Sequence, residues 1–439
     1  MKKDRLVLWV LGVGVLLGGR STYGQNPLIL DQFTADPTAR VFEGRVYVYP
    51  SHDIPASPGR GRANWFVMED YHVFSSENLV DWKDHGVILN QTQVPWLRGR
   101  QSFDMWAPDC VFKNGKYYFY FPTGGRIGVA VADKPYGPFV AEPNAIPGVR
   151  GIDPGVLVDK DGSAYLFWGG ISMAKLKDNM VELDSQPQRV ENLPRPGLIE
   201  GPFPFERNGI YYLTYPHVQN KTERLEYSVA KSPLGPYEWK GVIMDELPSG
   251  CWTIHGSMVE YKGQWYLFYH DKDLSPQFDK NRSIRADFLY FNEDGTIRKV
   301  TPTQRGVGVV DARSKIQIDR VSDTSPEGTS VSFLNEANKN EGWKISLSAQ
   351  GAWARFNRVD FGKGDLKTVH LRALSSTGTP VEIRLDSPDG ALVAPVEIPR
   401  GSEWTVTPGK LATVPSGVHD LVVRLKEGRE VELDWIRFE

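Results

Sequence analysis

The chain has 439 residues, more than one ordinary hydrophobic core accommodates, so we expect two or three folded units. Its 40% hydrophobic and 24% charged residues and formal net charge of -3 are typical of a globular protein, and they exclude the basic surface that a nucleic acid would require. An aromatic content of 12%, with 43 glycines and 31 prolines, favours short strands and turns over long helices.

Residues 1–24 have the features of a secretory signal peptide: basic residues, an apolar run over residues 6–17, and small and polar residues before Gln25. The apolar run is too short for a stable membrane span, and no later segment offers about 18 continuous apolar residues. We therefore predict a protein without a membrane span that is secreted or periplasmic. The absence of a cysteine at the cleavage point argues against a lipid anchor.

Cys110 and Cys251 are the two cysteines of the chain. They could form one disulfide in an oxidising compartment, but two thiols in a chain of this length are not the framework of a disulfide-stabilised fold. The sequence leaves both states open.

A short phrase, a glycine followed by an aromatic-rich alternating strand, occurs five times at spacings of 47 to 71 residues. Each copy is typical of a β-hairpin whose turn contains the glycine. The spacing is the length of a four-stranded propeller blade, with room for an insertion in the first. We therefore predict an all-β fold that begins with a five-bladed β-propeller over residues 25–312. The five glycines are Gly44, Gly115, Gly162, Gly209 and Gly263.

A polar residue precedes each of these glycines by six to nine positions, where the innermost strand of a blade passes the central channel. Residues at equivalent places in five blades converge near one axis, and burying several acids together is costly unless they have a function. An isolated Asp-Pro is more often a turn former, and Asp109, whose spacing differs from the others, is expected to be structural. The five polar residues are Asp36, Asp109, Asp153, Glu200 and His255.

Carboxylates on different blades that face each other across a channel suit the hydrolysis of a glycosidic bond. One carboxylic acid protonates the leaving oxygen, and a second, ionised carboxylate acts on the opposite side of the sugar ring. In the inverting version the two stand roughly 6.5–9.5 Å apart, which leaves room for a water molecule. A third acid close to the proton donor raises the pKa of the donor by repulsion between like charges.

Six short motifs occur in the order in which glycoside hydrolase family 43 has them, and over roughly residues 26–312 the chain resembles that family. The resemblance implies an inverting glycosidase with Asp36 as general base, Glu200 as general acid, and Asp153 as the residue that sets the pKa and orientation of the acid. The motifs are Ala35-Asp36-Pro37, Trp106-Ala107-Pro108-Asp109, Ile152-Asp153-Pro154, Glu200-Gly201-Pro202, His255-Gly256-Ser257 and Asn281-Arg282-Ser283.

The resemblance also implies roles for three further residues. Arg282 resembles a substrate-contacting arginine beside the acid, and Trp106 resembles a wall of the sugar subsite. His255 resembles an axial histidine that holds a structural calcium ion in the channel, often through water. Each also has a structural interpretation: Arg282 as a surface ion-pair residue, as its neighbour Arg285 suggests, Trp106 as blade packing, and His255 as a core histidine without an ion.

The acids do not identify the sugar, because the family includes arabinofuranosidases, xylosidases, arabinanases, xylanases and galactosidases. The insertion in the first blade, residues 55–101 with Trp65 and Trp96, could wall one side of the channel and leave a pocket for a terminal sugar. We therefore expect a monomeric α-L-arabinofuranosidase that removes terminal sugars from a polysaccharide or oligosaccharide. The alternatives are a β-xylosidase and an exo-galactosidase.

From about residue 315 the blade pattern gives way to alternating strands with Gly, Ser and Pro turns, which predicts a β-sandwich over residues 315–439. This part resembles a family 6 carbohydrate-binding module in stretches such as Gly342-Trp343 and Asp434-Trp435-Ile436. The resemblance implies two aromatic residues that clamp a sugar, and Trp343 and Trp404 are the candidates. The alternative is that both belong to the core and the sandwich only braces the propeller.

Two functions outside the hydrolases remain open. A noncatalytic sugar-binding propeller would keep the aromatic residues but has no need for Asp36, Asp153 and Glu200 together. A scaffold for protein partners would carry its functional residues on exposed loops rather than as acids directed at the axis. The sequence therefore favours the enzyme, and it predicts that these three acids, far apart along the chain, meet in one cavity.

Overall fold

The computed structural model describes residues 26–194, 196–197, 199–338 and 341–439. The predicted signal peptide, residues 1–24, lies outside these ranges. The described residues form β-sheets joined by turns and short 3₁₀ segments, and none of their helices is long and apolar enough to cross a membrane. The predicted all-β class is confirmed.

The first two thirds of the chain form five antiparallel sheets, and in each sheet the strands follow one another in chain order. The first sheet contains Phe33–Phe42 (β1), Arg45–Asp53 (β2), Asp70–Ser76 (β3) and Lys83–Asn90 (β4). After the 3₁₀ segments Gln91–Gln93 and Pro95–Leu97, the second contains Asp109–Lys113 (β5), Lys116–Thr123 (β6), Arg126–Ala132 (β7) and Val140–Ala141 (β8). The third contains Gly155–Val158 (β9), Ala164–Trp168 (β10), Ser172–Leu176 (β11) and Gln188–Arg189 (β12).

The fourth sheet contains Phe203–Arg207 (β13), Ile210–Val218 (β14), Glu223–Ala230 (β15) and Glu238–Met244 (β16). The fifth contains Ser257–Tyr261 (β17), Gln264–Asp271 (β18) and Ser283–Leu289 (β19). The start of the described chain runs along β19: the Leu28 N–H donates to the Ile284 carbonyl at 2.9 Å, and the Asn26 side chain bonds both backbone groups of Ala286. The last blade is therefore built from both the start and the end of the propeller sequence.

Five separate hydrophobic clusters lie between the sheets, and each joins one blade to the next. The cluster that contains Val48 of the first blade and Phe268 of the fifth closes the ring. Every blade is therefore covered on both faces, which explains why the inner strands are aromatic and apolar along most of their length. The structure is the predicted five-bladed propeller.

The two innermost strands of each blade are joined at the glycines of the sequence repeat, whose φ angles lie between 75° and 82°. At four of these turns the preceding residue, Glu43, Asn114, Asn208 or Lys262, also has a positive φ. Two successive residues of this kind form the type I′ turn, whose twist matches that of a hairpin. The glycine recurs because other residues are strained in this conformation.

The C-terminal part is a sandwich of two six-stranded sheets. Its strands are Val310–Asp311 (β20), Ile316–Gln317 (β21), Asp323–Thr324 (β22), Thr329–Phe333 (β23), Trp343–Leu347 (β24), Trp353–Asp360 (β25), Thr368–Leu374 (β26), Thr379–Leu385 (β27), Leu392–Ile398 (β28), Thr405–Lys410 (β29), Val418–Leu425 (β30) and Val431–Phe438 (β31). One sheet contains β20, β22, β25, β27, β28 and β30, the other contains the remaining six, and one hydrophobic cluster lies between them. Because β20 pairs with β25, the sandwich begins at Val310 rather than near residue 315.

Cys110 and Cys251 are buried free thiols, so no disulfide joins them. They lie in different hydrophobic clusters, between the first and second blades and between the fourth and fifth. Asp109 is also buried, and its carboxylate accepts hydrogen bonds from Arg40 of the first blade and from the Val156 N–H of the third. Asp109 therefore links three consecutive blades.

Candidate active site

One end of the propeller channel opens into a cavity of about 160 Å³. Asp36 reaches it from β1, Asp153 from the turn before β9, and Glu200 from the segment before β13. His255 and Arg282 line the same cavity. Three of the four acids that the repeat identified thus lie around one space, although they are far apart along the chain.

The backbone is irregular at both aspartates. Asp36 (φ 45°) and Asp153 (φ 56°) have left-handed conformations, and a proline follows each. In β1 the pairing with β2 shifts its register between Ala35 and Thr38, as in a β-bulge. Such sparsely populated conformations cluster at functional sites, where the surrounding structure maintains them.

Asp36 is held as an ionised carboxylate. Arg282 binds both of its oxygens, at 2.8 Å from Nη1 to Oδ1 and 3.2 Å from Nη2 to Oδ2, and the Ser51 hydroxyl donates to Oδ2 at 2.7 Å. Burial alone would raise the pKa of Asp36, but the charge of Arg282, with His255, His270 and Ser51, lowers it to about 2. The carboxylate is therefore available as a base at neutral and mildly acidic pH.

All five N–H groups of the Arg282 guanidinium are used inside the protein. Nη1 donates to Asp36 and to the Thr253 hydroxyl, Nη2 donates to Asp36 and Asp53, and Nε donates to Asp53. The side chain is 2% exposed, and its guanidinium carbon lies 4.8 Å from the centre of the Phe66 ring. Arg282 is therefore buried, unlike a surface ion-pair residue, and it positions the Asp36 carboxylate.

Glu200 and Asp153 are neighbouring carboxyl groups whose pKa values are raised, in contrast to that of Asp36. Their oxygens and a ring nitrogen of His255 all lie within 4.8 Å of one another. Burial raises the pKa of Glu200 to about 7, and the charges of Glu223 and Asp36 add to the increase. Burial, followed by the charges of Glu200 and Asp36, also raises the pKa of Asp153 well above its ordinary value. At neutral pH this pair therefore holds a proton, whereas Asp36 does not.

Glu223, the first residue of β15, is an acid that the sequence did not single out. Its side chain is buried, and Oε2 accepts a hydrogen bond from the Thr253 N–H at 2.8 Å. Within the described residues Oε1 has no hydrogen-bond partner. Burial raises the pKa of Glu223 to about 7, and its charge raises the pKa of Glu200 more than that of any other acid. Glu223 thus contributes to the effect that the sequence assigned to Asp153.

His255 lies between the two aspartates, with Nδ1 3.7 Å from Oδ1 of Asp36 and Nε2 3.7 Å from Oδ2 of Asp153. Burial lowers its pKa, which favours the neutral ring. Gly201 approaches so closely that a Cβ there would lie 2.6 Å from Nε2, which explains the glycine after Glu200.

The channel below these residues contains a cavity of about 20 Å³, lined in part by Asp36, Asp153 and His255. This volume is enough for one ion or one water molecule. Calcium takes oxygen ligands, so the carboxylates fit it directly and His255 fits it through a water molecule. The residues present are therefore compatible with the calcium ion that the sequence suggested.

Aromatic side chains wall the cavity of about 160 Å³. Trp106 lines it, and its indole N–H has no hydrogen-bond partner among the described residues. Trp65 and Phe66 come from the insertion in the first blade, and Trp252 comes from the loop before the fifth. Trp96 packs on the second blade instead and does not line the cavity. The walls are thus apolar around a few polar groups, as in sites for small ligands.

Trp343 and Trp404 lie on the same sheet of the sandwich but not side by side. Trp343, on β24, is 42% exposed and stacks on Phe333 with ring centroids 4.0 Å apart. Trp404 precedes β29, and the Arg372 guanidinium lies 5.2 Å from its ring centre. Because β31 and β26 separate β24 from β29, three strand spacings, about 14 Å in all, lie between them. The structure therefore does not bring these two residues together on one sugar ring.

Several residues of the site carried no signal in the blade repeat. Ser51 and Asp53 end β2, where a polar segment directly follows the aromatic phrase after Gly44. That change of character could have identified them. Glu223 begins the third strand of its blade, outside the glycine-centred repeat, and Trp252 lies in the loop before β17, so only the three-dimensional structure places them at the site.

The chain is similar to known proteins over both of its parts. The model of the family Glycosyl hydrolases family 43 matches residues 25–297, and that of the Carbohydrate binding module (family 6) matches residues 324–439. A xylosidase/arabinosidase 43A from Humicola insolens is 36% identical over 62% of this chain and 98% of its own length.

Two solved structures share the fold. CoXyl43, a β-xylosidase/α-arabinofuranosidase from a compost microbial metagenome in complex with xylotriose, in a calcium-free form, is 35% identical over 64% of this chain and 98% of its own, with a TM-score of 0.58. An arabinoxylan arabinofuranohydrolase from Bacillus subtilis in complex with cellotetraose is 26% identical over 94% of this chain and 97% of its own, with a TM-score of 0.57. Since the family model covers more than half of the chain, the protein belongs to glycosyl hydrolases family 43 and is a glycoside hydrolase with a C-terminal family 6 carbohydrate-binding module.

Proposed function

We propose that the protein is an inverting, exo-acting glycoside hydrolase in which Asp36 is the general base and Glu200 the general acid. The proposal rests on two carboxyl groups that line one cavity and whose pKa values are shifted in opposite directions. The pKa of Asp36 is lowered to about 2, and that of Glu200 is raised to about 7. General acid and general base catalysis require one carboxyl group of each kind at the same pH.

In the proposed reaction Asp36 takes a proton from a water molecule whose oxygen attacks the anomeric carbon. Glu200 gives its proton to the glycosidic oxygen, and the bond between that oxygen and the anomeric carbon breaks. Asp36 then carries the proton and Glu200 is ionised, so proton exchange with solvent restores both. Asp153 orients the acid, and Arg282 holds the base. The reaction is a single displacement without a covalent intermediate.

A terminal pentose fits the volume of the cavity. About 160 Å³ is less than the roughly 300–1,000 Å³ of pockets for larger ligands, which favours one sugar ring and exo action. We assign an α-L-arabinofuranoside as the first candidate. A β-D-xyloside is the second, favoured by the relative from Humicola insolens, which is named for both activities. A galactoside would place an additional hydroxymethyl group in the same space, so we expect pentosides to be cleaved in preference.

Calcium in the channel is part of the proposal. The channel-facing carboxylates would hold the ion directly, and His255 would hold it through water. The ion supplies a positive charge beneath the catalytic carboxyl groups when it is bound. The carboxyl groups of Asp36 and Asp153 in the lining of the 20 Å³ cavity support this assignment.

We also propose that the sandwich holds the enzyme on its polysaccharide. Trp343, exposed and backed by Phe333, is the residue that would stack on a sugar. Such a tether raises the concentration of substrate near the catalytic cavity. The enzyme would act outside the cytoplasm, as the features of residues 1–24 indicate. N-terminal sequencing of the exported chain tests this: a start near residue 25 supports it, and an uncleaved chain contradicts it.

Hydrolysis of the nitrophenyl derivatives of α-L-arabinofuranose, β-D-xylose and β-D-galactose tests the activity. We expect cleavage of a pentoside, and a loss of roughly 10²–10⁴-fold in kcat for Asp36→Asn. Glu200→Gln is expected to lower kcat by the same factor on an oligosaccharide, because the leaving oxygen of such a substrate must be protonated. Glu238→Gln, on the exposed outer strand of the fourth blade, is the matched control and keeps full activity. An active Asp36→Asn variant, or no cleavage of any glycoside, contradicts the proposal.

A further inference from the structure

A second cluster of metal-ligating side chains lies on the first blade, outside the catalytic cavity. It consists of His52 on β2 and of Asp70 and His72 on β3, and one donor atom from each lies within 4.8 Å of the other two. Nδ1 of His52 is 2.6 Å from Oδ1 of Asp70, and the two imidazole rings have centroids 4.8 Å apart. Asp70 and His72 are two residues apart on one strand and therefore share a face.

The three side chains are shielded from solvent. The side chain of His52 is 18% exposed, that of Asp70 is 12% exposed, and that of His72 is 15% exposed. Polar groups removed from water to this extent are costly unless they pair with one another or bind a cation. Two imidazoles and one carboxylate can pair with one another or bind a cation.

A further carboxylate fixes the orientation of His72. Both oxygens of Asp84 lie 3.1 Å from Nδ1 of His72. Asp84 is itself held by the Gly86 N–H at 2.7 Å and by the Gln32 amide at 3.1 Å. A carboxylate that accepts the Nδ1–H of a histidine leaves Nε2 with a free lone pair, and histidines that bind metals are supported in this way.

We propose that His52, Asp70 and His72 form a zinc site, with Asp84 as the carboxylate that orients His72. Two imidazole nitrogens and one carboxylate oxygen suit zinc, whereas calcium prefers oxygen ligands alone. Zinc bonds of about 2.0–2.1 Å in a tetrahedron place donor atoms about 3.3 Å apart, so on binding the His52–Asp70 pair, now 2.6 Å apart, would open slightly, and donors up to 4.8 Å apart would approach. A water molecule completes the fourth position.

The zinc site would stabilise the position of Asp36 from the opposite face of β2. Side chains alternate along a strand, so His52 points away from the face to which Ser51 and Asp53 belong. Ser51 donates to Asp36, and Asp53 binds Arg282, the partner of Asp36. An ion at His52 would fix β2 against β3 and thereby fix both of these contacts. This role is independent of which sugar the enzyme cleaves.

Zinc titration of the metal-free full-length enzyme, followed by calorimetry, tests the proposal. We expect one zinc ion per chain with a dissociation constant in the micromolar range or below, and a melting temperature raised by several degrees. His72→Gln is expected to weaken binding at least tenfold, and Asp84→Asn roughly 10–100-fold. His419→Gln, at a partly exposed histidine paired with Asp386 on the sandwich, is the matched control and leaves binding unchanged.

His255→Gln separates this cluster from the catalytic cavity, which also groups a histidine with two acids. One zinc ion bound by His255→Gln with the affinity of the unaltered enzyme supports the proposal. Two outcomes overturn it: no saturable zinc binding by the unaltered enzyme, or binding that His255→Gln abolishes and His72→Gln leaves unchanged. Because the first outcome needs no variant, the test stands even if a substitution in the first blade impairs folding.

Discussion

Asp36 and Arg282 form a bidentate ion pair that joins residues 246 positions apart, with donor–acceptor distances of 2.8 and 3.2 Å. Arg282 directly precedes β19, the strand along which the start of the chain runs, and its carbonyl accepts a hydrogen bond from the Thr34 N–H. The proposed catalytic base is therefore held by the same segment that closes the propeller. Closure of the ring and position of the base depend on each other.

Arg282→Lys should lower kcat/KM roughly 10²–10³-fold, because an ammonium cannot reproduce the fork that binds Asp36 and Asp53 together. Arg285→Lys is the control, since Arg285 pairs with Asp271 and Asp273 and does not line the cavity. Steady-state kinetics on the cleaved nitrophenyl glycoside measure both. Full activity of Arg282→Lys would remove the positioning role.

The pH profile of kcat/KM should show a basic limb near 7 and an acid limb near 2. Glu200 must be protonated to act as an acid, so activity is lost as the pH rises through its pKa of about 7. Asp36 must be ionised, so activity is lost only as the pH falls through about 2, unless the fold fails first. A basic limb near the ordinary pKa of a glutamate would contradict this assignment.

Glu223→Gln should move the basic limb to lower pH, because it removes the largest charge contribution to the raised pKa of Glu200. A purely structural effect of the substitution would lower activity at all pH values without moving the limb. Glu238→Gln serves as the control that leaves the profile unchanged.

Trp343→Ala should weaken binding to soluble arabinoxylan by roughly 0.5–1.5 kcal/mol, about 2–10-fold, because it removes one exposed ring. It should leave hydrolysis of a nitrophenyl glycoside unchanged, since that reaction needs only the propeller. Affinity electrophoresis measures the first and kinetics the second. Because Trp343 and Trp404 do not share a sugar ring, the free-energy changes of the two substitutions should add. Unaltered retardation of Trp343→Ala would exclude it as the binding residue.

Removal of calcium with EGTA should lower the melting temperature and the activity, and calcium should restore both. EGTA also binds zinc, so the variants are compared by the gain in melting temperature and activity when calcium is added to the EGTA-treated enzyme: His255→Ala is expected to gain less than the unaltered enzyme, and His72→Gln as much. Differential scanning fluorimetry measures the melting temperature, and steady-state kinetics measure the activity. If neither the melting temperature nor the activity changes, calcium has no place in the channel.

The sequence predicted the features that repeat. The hairpin glycines could be identified because four of the turns place two successive residues at positive φ, which glycine accepts readily. Asp36, Asp153 and Glu200 could be identified because equivalent blade positions converge on one axis. These inferences rest on local turn conformation and on the repetition of the blades, and both leave a recurring pattern in the sequence.

Features without a repeat could not be predicted in the same way. Glu223 reaches Glu200 only through the packing of the fourth blade, and the pairing of Arg282 with Asp53 depends on ring closure. Trp65 and Trp96 come from one insertion, yet only Trp65 lines the cavity. In the sandwich, the spacing of Trp343 and Trp404 depends on the order of strands in the sheet, which a single sequence does not reveal.

The stereochemistry of the first product tests the central claim most directly. Proton NMR of early hydrolysis of an α-L-arabinofuranoside, or of a β-D-xyloside if that is the glycoside cleaved, shows which anomer forms before mutarotation. The account predicts the inverted anomer, because a water molecule activated by Asp36 attacks while Glu200 protonates the leaving oxygen. A retained anomer, or a trapped sugar covalently bound to the enzyme, would contradict it.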